Sequence, residues 1–439
     1  MVRRHNDCSE STRRSFVRYG GMVAAGSLLA GCVGGGGDDD SDTEGSSQST
    51  TQTETTTETN SNEETNPTSQ TSQEDTSYAA SMAPVGELSF EEIPETVVGG
   101  WGFVGDVLMA LGQANRVVGM SRPGFWYQGF YELLPNVSPR DTTEIPATVS
   151  KSYRINEELV YDLDPDLLAV DPNRFINWYG SDTETVSKLA EDIAPFFGNE
   201  SRSKRAPDWA VWPNKKEYGY YDIPEFVERY GRLFGEQERA AAMVDLYEST
   251  IDDITSRLPP ESERPSIASV DAFTNPENRG FFGVNNPKPA NEKTHEHREY
   301  GHLSVIDAFE DKYVKGGHYG MKAGFEELLD INPDVIIFDE AVNSFGGENV
   351  YGNAGAYEKT IDVIKKNEVT KQVKAVQDDH LYPGGTGSQG PIINLFQTEM
   401  LAKQLHPEEY GKWHGFGEIP AEERLFDRQR VADIINGNI

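Results

Sequence analysis

The 439-residue chain carries 73 acidic against 39 basic side chains, a formal charge of −34. That balance excludes nucleic acid as a partner, because phosphate is held by Lys and Arg patches. Hydrophobic residues at 36% and aromatics at 10% suffice for two domains with cores, and two cysteines, Cys8 and Cys32, exclude a disulfide scaffold or a thiolate cluster. The acids are spread along the whole chain, so they read as a solvated surface suited to very salty water, where screening removes much of the self-repulsion; an acidic cleft is the other reading.

The chain opens with a twin-arginine pair, Arg13-Arg14, followed by an apolar small-residue stretch over 20–31. The stretch is too short to span a bilayer as a helix, and the order of parts is that of an export signal. It ends in Leu29-Ala30-Gly31-Cys32, which resembles a lipobox whose cysteine bears the lipid. Residues 34–37 are glycines and 38–81 are dominated by Ser, Thr, Gln, Glu and Asp. Such a segment buries too little apolar surface to offset its ordering entropy, so it reads as a disordered tether from membrane to domain.

From Glu87 the composition changes. Residues 95–98 and 116–120 read as short strands, with a helix over 104–111 between them. A helix over 155–163, a buried strand over 167–170 and a helix over 182–192 follow, before 193–197. A long amphipathic helical segment over 224–258, interrupted near Gly235, keeps Val227, Tyr230, Leu233, Met243, Leu246, Tyr247, Ile251 and Ile254 on one face. The alternation then restarts: strand 266–270, helix 303–309, helix 325–330, strand 335–338, helix 357–366, strand 380–382 and a final helix over 391–405. Alternating strands and helices predict an α/β fold of two lobes, each a mostly parallel sheet with flanking helices, joined by one long rigid helix. The expected divisions are a signal at 1–32, a tether at 33–82, an N-terminal lobe at 83–222, a connecting helix at 223–260 and a C-terminal lobe at 261–439.

The halves echo each other. Residues 157–168 (EELVYDLDPDLL) and 326–337 (EELLDINPDVII) are each an acidic start, an amphipathic helix, a Pro-Asp turn and a buried strand. With the long helix between them, this paired unit resembles the siderophore, haem and cobalamin class of ABC-transporter substrate-binding proteins, over about residues 87–411. The segments Leu111-Gly112 to Val117-Val118-Gly119, and Ala375-Val376 through Gly390-Pro391 to Ala402, belong to the same likeness. The resemblance implies a stiff spine, a shallow ligand cleft between the lobes and a monomer that works with an ABC permease and its ATPase subunit. It also implies that one exposed glutamate per lobe docks the permease, and the Pro-Asp turns align these on Glu158 and Glu326. Solvated acid favoured by a helix N-terminus is the other reading of both.

Ligands of an open α/β sheet bind beyond the carboxyl ends of its strands. The loops there offer Trp101, Arg122, Phe125, Trp126, Tyr127, Asn173, Arg174, Phe175, Trp178 and Tyr179 in the N-lobe. The C-lobe offers Phe273, Phe281, Phe282, Tyr300, His302, Phe345 and Gln389. Aromatic rings supply contact area and arginine a fork for carboxylate or catecholate oxygens. Alternatively, such aromatics pack inward beneath their loops. Four of the eight histidines, His295, His297, His302 and His318, lie close in sequence. With Glu296 and Glu299 beside them, His295 and His297 are candidate metal ligands, or axial ligands to haem or cobalamin. A polar loop rich in Glu, Lys and His is the other reading.

The chain has no G-x-S-x-G, P-loop or H-E-x-x-H motif. The expectation is a lipid-anchored binding protein on the outer face of the cell membrane, with no covalent cofactor, whose cargo is an Fe(III) chelate. Haem or cobalamin is the alternative within the class. An anchored metal-dependent enzyme using the histidines, or a structural surface protein, are the alternatives outside it.

Overall fold

A computed structural model describes residues 17–19 and 77–439, apart from 216–217, 274–275, 288–292, 313–320, 345–354 and 417–418. The twin arginines, Cys32 and the segment 33–76 lie outside the described residues, as do His318 and Phe345. Val17–Tyr19 pairs antiparallel with Gly86–Phe90.

The folded body begins earlier than position 83. Tyr78–Met82 is a strand paired antiparallel with Gly86–Phe90, and alternate side chains, Ala80 and Met82, are buried. The period of two in this short run places one face on the core. In the N-lobe sheet, Val97–Gly99 lies in the middle, parallel to Val117–Met120 on one side and to Leu167–Ala169 on the other. The C-lobe sheet is built on Ser266–Asp271 and Val335–Asp339, which run parallel, with Leu381–Pro383 parallel beyond them. Phe282–Val284 and Met321–Ala323 add an antiparallel edge. All five residues of Val335–Asp339 are buried, as expected of a parallel strand covered on both faces.

The Pro-Asp units fold alike. Glu157–Leu163 and Phe325–Ile331 are helices that end on left-handed residues, Asp164 (φ 41°) and Asn332 (φ 42°). Asp166 then accepts hydrogen bonds from the Thr96 amide at 2.9 Å and its hydroxyl at 2.8 Å, and Asp334 from the Ser266 amide at 2.9 Å and its hydroxyl at 2.8 Å. In each lobe the motif's aspartate thus pins the start of the neighbouring parallel strand, which explains why the same dipeptide stands in both halves.

The connecting segment is two helices, Ile223–Leu233 and Gln237–Ser256, separated at Gly235 by a positive φ of 70° that favours glycine. A capping box starts the first: the Asp222 carboxylate accepts from the Glu225 amide and Glu225 returns the bond, both at 3.0 Å. One expected helix, over 303–309, is absent. Arg298–His302 is the helix, Ser304 turns the chain at φ 46°, and Ile306–Asp307 pairs in parallel with the start of Ser266–Asp271. The β-branched pair Val305-Ile306 suits the extended backbone it adopts.

Pro391–Leu405 is buried along all 15 residues. A helix enclosed on every side must partner its polar residues internally, and this one does. Asn394 accepts from the Tyr247 hydroxyl at 2.7 Å, Gln404 donates to the Pro383 carbonyl at 3.1 Å, and Glu399 pairs with Arg428. At its N-terminus, Asp106 of the N-lobe helix Gly102–Ala110 accepts from the Ile393 amide at 3.0 Å and from the Tyr131 hydroxyl at 2.7 Å. The last helix, Arg428–Asn436, was counted with the C-lobe at 261–439, yet it buries Val431, Ala432, Ile434 and Ile435 in the N-lobe core.

Burial pushes the Asp106 carboxyl up to about 7, against the bonds from Tyr131 and Ile393 that pull it down. An unfolded aspartate titrates near ~3.9. Proton binding at Asp106 therefore stabilises the fold fully below that value, and this stabilisation is lost as pH rises from there through about 7. The Asp106→Asn amide cannot ionise. The melting temperature of the native chain is therefore expected to fall relative to Asp106→Asn between pH 5.5 and 8.5, values chosen to bracket about 7. Parallel melting curves across that range would contradict the assignment.

Candidate functional site

Leu167–Ala169 runs into the short helix Pro172–Asn177, whose N-cap Asp171 accepts from the Asn173 amide at 2.9 Å. Asp171 also accepts from the Trp209 indole at 3.1 Å and the Tyr218 hydroxyl at 2.5 Å, fastening the segment 199–221 over the strand ends. This turn aims Arg174 into the space between the lobes.

Arg174 is buried there. It donates to the Tyr179 hydroxyl at 2.6 Å and pairs with Glu200. Its guanidinium lies 4.2 Å from the ring centre of Trp101 and 4.4 Å from that of Trp178. Trp101 donates to the same tyrosine oxygen at 2.8 Å and packs on Phe125 at 4.4 Å. Two more arginines join the cage. Arg202 lies 5.2 Å from Trp101 and pairs with Glu296 at 3.1 Å; Arg205 lies 5.0 Å from both Trp178 and Trp209. Burial pushes the Glu200 carboxyl up, but Arg174, Arg205 and Arg202 outweigh it and hold it below the ordinary range. Three guanidiniums therefore gather around Glu200 and Glu296, with the Asp171 carboxyl in the same wall, in a chain of charge −34. A space of about 20 Å³ remains, with Trp101, Phe103, Arg174, Glu200, Arg202, His295 and Ser388 in its wall. It admits about one water molecule.

Other residues read from the sequence have different surroundings. Arg122 lies 5.2 Å from Phe125 and 4.8 Å from Tyr153, at the margin of the cage. Trp126 is buried against Gly105, where an added Cβ would stand 2.3 Å from the indole, and it donates to Tyr131 at 2.8 Å. Tyr127 packs edge-on to Phe130 at 4.9 Å, Phe175 on Phe196 at 5.6 Å, and Phe282 on Phe325 at 5.4 Å, all within cores. The Phe273 amide is bonded to Asp271 at 2.7 Å. Gln389 is fully buried and donates to Glu299 at 2.8 Å. His302 shares a 3.0 Å hydrogen bond with Tyr247 of the connecting helix, and burial pushes its imidazole down to about 3.

His295 and His297 separate. His295 stacks on Phe103 at 4.0 Å, and burial drives it to about 3, so it stays neutral. His297 sits among carboxylates, with Asp339 at 3.4 Å and Glu299 at 3.7 Å; its ring centre is 5.7 Å from that of buried Tyr300. Burial pushes His297 down, but Asp339, Glu299 and Glu296 outweigh it and raise it to about 10. Burial likewise pushes Asp339 and Glu340 up, against the pull of His297. Glu158 and Glu326 are exposed at the second position of the two matching helices.

Glu200, Arg202, Arg205, Asp339 and Glu340 were not singled out from the sequence. Two signals were there to find: the basic stretch Arg202-Ser203-Lys204-Arg205 in so acidic a chain, and the acidic pair Asp339-Glu340 at the carboxyl end of a buried strand.

No curated protein sequence matches the chain. Residues 97–385 match the family model of the periplasmic binding proteins. The chain belongs to the periplasmic binding protein family. Among solved structures, a periplasmic binding protein from Veillonella parvula matches at 15% identity over 75% of this chain and 97% of its own, with a TM-score of 0.51. A periplasmic solute-binding protein from the same organism matches at 13% identity over 82% of this chain and 99% of its own, with a TM-score of 0.50. These likenesses are of fold. Family members bind a small-molecule solute and work with an ABC permease and its ATPase, so the chain is a solute-binding protein and not an enzyme. The family assignment overturns the readings as a metal-dependent enzyme and as a structural surface protein. No helix among the described residues is long and apolar enough to cross a membrane.

In this binding protein Glu200 is the counter-charge of the cage. Glu200→Gln leaves buried guanidiniums without it, and breaking a buried pair in this way costs about 3–5 kcal/mol. The variant is expected to melt well below the native protein and to recover part of the loss in citrate or sulfate. An unchanged melting temperature would show that the Glu200 charge does not hold the cage together.

Proposed function

We propose that this protein captures an anionic ferric chelate, an Fe(III) siderophore, between its lobes and delivers it to an ABC permease. The observation that carries this reading is the cage of Arg174, Arg202 and Arg205 against Trp101, Trp178 and Trp209, set between the lobes at the carboxyl ends of the N-lobe strands. Guanidinium forks suit catecholate or carboxylate oxygens, and the indole faces suit the flat rings that carry them. Glu200 and Glu296 occupy the positions that ligand oxygens would take. With about 20 Å³ free, the chelate enters by displacing these side chains or by separation of the lobes. Tethering through Cys32 after twin-arginine export, at the outer face of the membrane and as a monomer, completes the reading. Exposed Glu158 and Glu326, equivalent in their lobes, serve as the permease contacts.

The direct test is a thermal-shift panel on the full chain in high salt, using ferric catecholates, ferric hydroxamates, ferric citrate, haem and cobalamin. A ligand that binds only the folded state raises the melting temperature in proportion to the logarithm of its excess over Kd. An anionic ferric chelate is expected to give the shift, and Arg202→Ala to weaken it about 10–100-fold, the worth of a hydrogen bond to a charged group. A shift with haem or cobalamin alone would reassign the cargo to a macrocycle. Undiminished affinity in Arg202→Ala would remove the cage from the binding site.

Anchoring and docking are read in cells. Cys32→Ser is expected in the medium instead of the membrane fraction. Glu158→Lys with Glu326→Lys is expected at the membrane, binding chelate normally yet giving no uptake. Membrane retention of the first variant would refute the anchor, and normal uptake by the second would refute the docking pair.

A further inference from the structure

Beneath the arginine cage, on the C-lobe side, one atom each from His297, Asp339 and Glu340 lie within 4.8 Å of one another. His297 caps the helix Arg298–His302, Asp339 ends the buried strand Val335–Asp339, and Glu340 follows it. His297 Nδ1 and Asp339 Oδ1 face each other at 3.4 Å, and Glu299 Oε1 lies 3.7 Å from the same nitrogen. His297 is 7% and Asp339 2% exposed, yet neither of these two atoms has a hydrogen-bond partner.

The surrounding groups hold the acids in place. Asn285 donates to Asp339 Oδ2 at 2.5 Å; Glu340 accepts from the Gly387 amide at 2.9 Å and from Asn343 at 2.5 Å, and Glu299 from Gln389 at 2.8 Å and Gln397 at 3.4 Å. Asp339 Oδ1 is thereby left facing the imidazole. Outer partners that orient the carboxylates, with His297 Nδ1 and Asp339 Oδ1 left unpartnered, are what a metal site requires. The charge points the same way. Three carboxyl groups surround one imidazole away from water, where a bound cation would offset the cost of their ionised forms.

We propose that His297 Nδ1, Asp339 Oδ1 and Glu340, supported by Glu299, hold one divalent transition-metal ion as a resident structural ion, distinct from the transported chelate. One imidazole with carboxylate oxygens suits Zn²⁺ or Mn²⁺ better than Ca²⁺ or Mg²⁺, which prefer oxygen alone. The ion steadies the cage from below. The residues just before His297 bond to the N-lobe through the His295 amide on Ser201 at 3.3 Å and the Glu296 amide on Arg202 at 3.0 Å, and Glu296 pairs with Arg202. The proposal does not depend on the chelate reading.

The test is calorimetric titration of the chelator-stripped full chain with Zn²⁺ and Mn²⁺ in high salt, which suppresses diffuse binding to the acidic surface. One ion per chain is expected. Loss of affinity in His297→Gln and in Asp339→Asn should exceed the roughly 10–100-fold that removal of an outer partner costs. Co²⁺ should show the visible absorption of a mixed nitrogen–oxygen site, which a ferric chelate added later does not displace. No saturable binding, equal affinity in both variants, or displacement by equimolar Mg²⁺ or Ca²⁺ would overturn the proposal. If circular dichroism shows a variant unfolded, the native Co²⁺ spectrum decides: one indistinguishable from the aqueous ion overturns it.

Discussion

A buried carboxylate stands at the joint between the two halves of this protein. Asp106 belongs to the first N-lobe helix, yet it caps Pro391–Leu405, the helix that follows the last C-lobe strand. The first amides of any helix lack internal partners, and here water cannot reach them. Asp106 supplies the acceptor, and Gly390 lets it approach, since an added Cβ would stand 2.9 Å from its oxygen. With that end fixed, the enclosed helix presents Asn394 to Gln389, Gln397 to the Thr386 carbonyl, and Glu399 to Arg428. The loop that carries Thr386 to Gln389 lies against Glu299 and Glu340, so the geometry of both candidate sites traces back to the same joint.

The chain's charge is distributed against its mean. A molecule of net −34 gathers three arginines at one buried place and three carboxylates around a histidine close by. Screening by salt softens exposed repulsion but reaches buried groups far less. Each cluster therefore has to be neutralised locally, by a ligand, an ion, a proton or a protein side chain. Glu200 and Glu296 do so in the upper cluster; in the lower one burial pushes Asp339 and Glu340 toward their protonated forms.

Much of the scaffold was legible because it is written in local signals. Gly390-Pro391 announces the enclosed helix, and its bounds coincide with those read from the sequence. The Pro-Asp turns mark both strand starts because a carboxylate there has a definite task. The failures have physical causes too. Leu303, Val305 and Phe309 are buried, but in the turns on either side of the short strand Ile306–Asp307, and burial alone does not distinguish these from a helix face. Trp101, Arg174 and Trp178 meet at the cleft, whereas Trp126, Phe175 and Phe282 turn inward. Position after a strand does not say which way an aromatic ring will go. The segment 199–205 has no periodicity to read, and the partners of His297 come from a strand distant in sequence.

The connecting helices are not shared evenly. Ile223, Phe226, Val227, Tyr230, Leu233, Met243, Val244, Tyr247 and Ile251 all sit in the N-lobe core, along with Val431 and Ile434 of the terminal helix. Only near its end, at Ile254, does the segment join the C-lobe core. Mechanically, then, the N-lobe, both connecting helices and the terminal helix are one block. The C-lobe core joins it at the last turn of Gln237–Ser256 and along the enclosed helix, with polar links between Tyr247 and His302 and between Arg202 and Glu296. The tryptophans and arginines of the cage belong to that block, and His295 and Ser388 of the C-lobe form the opposite wall of the cleft.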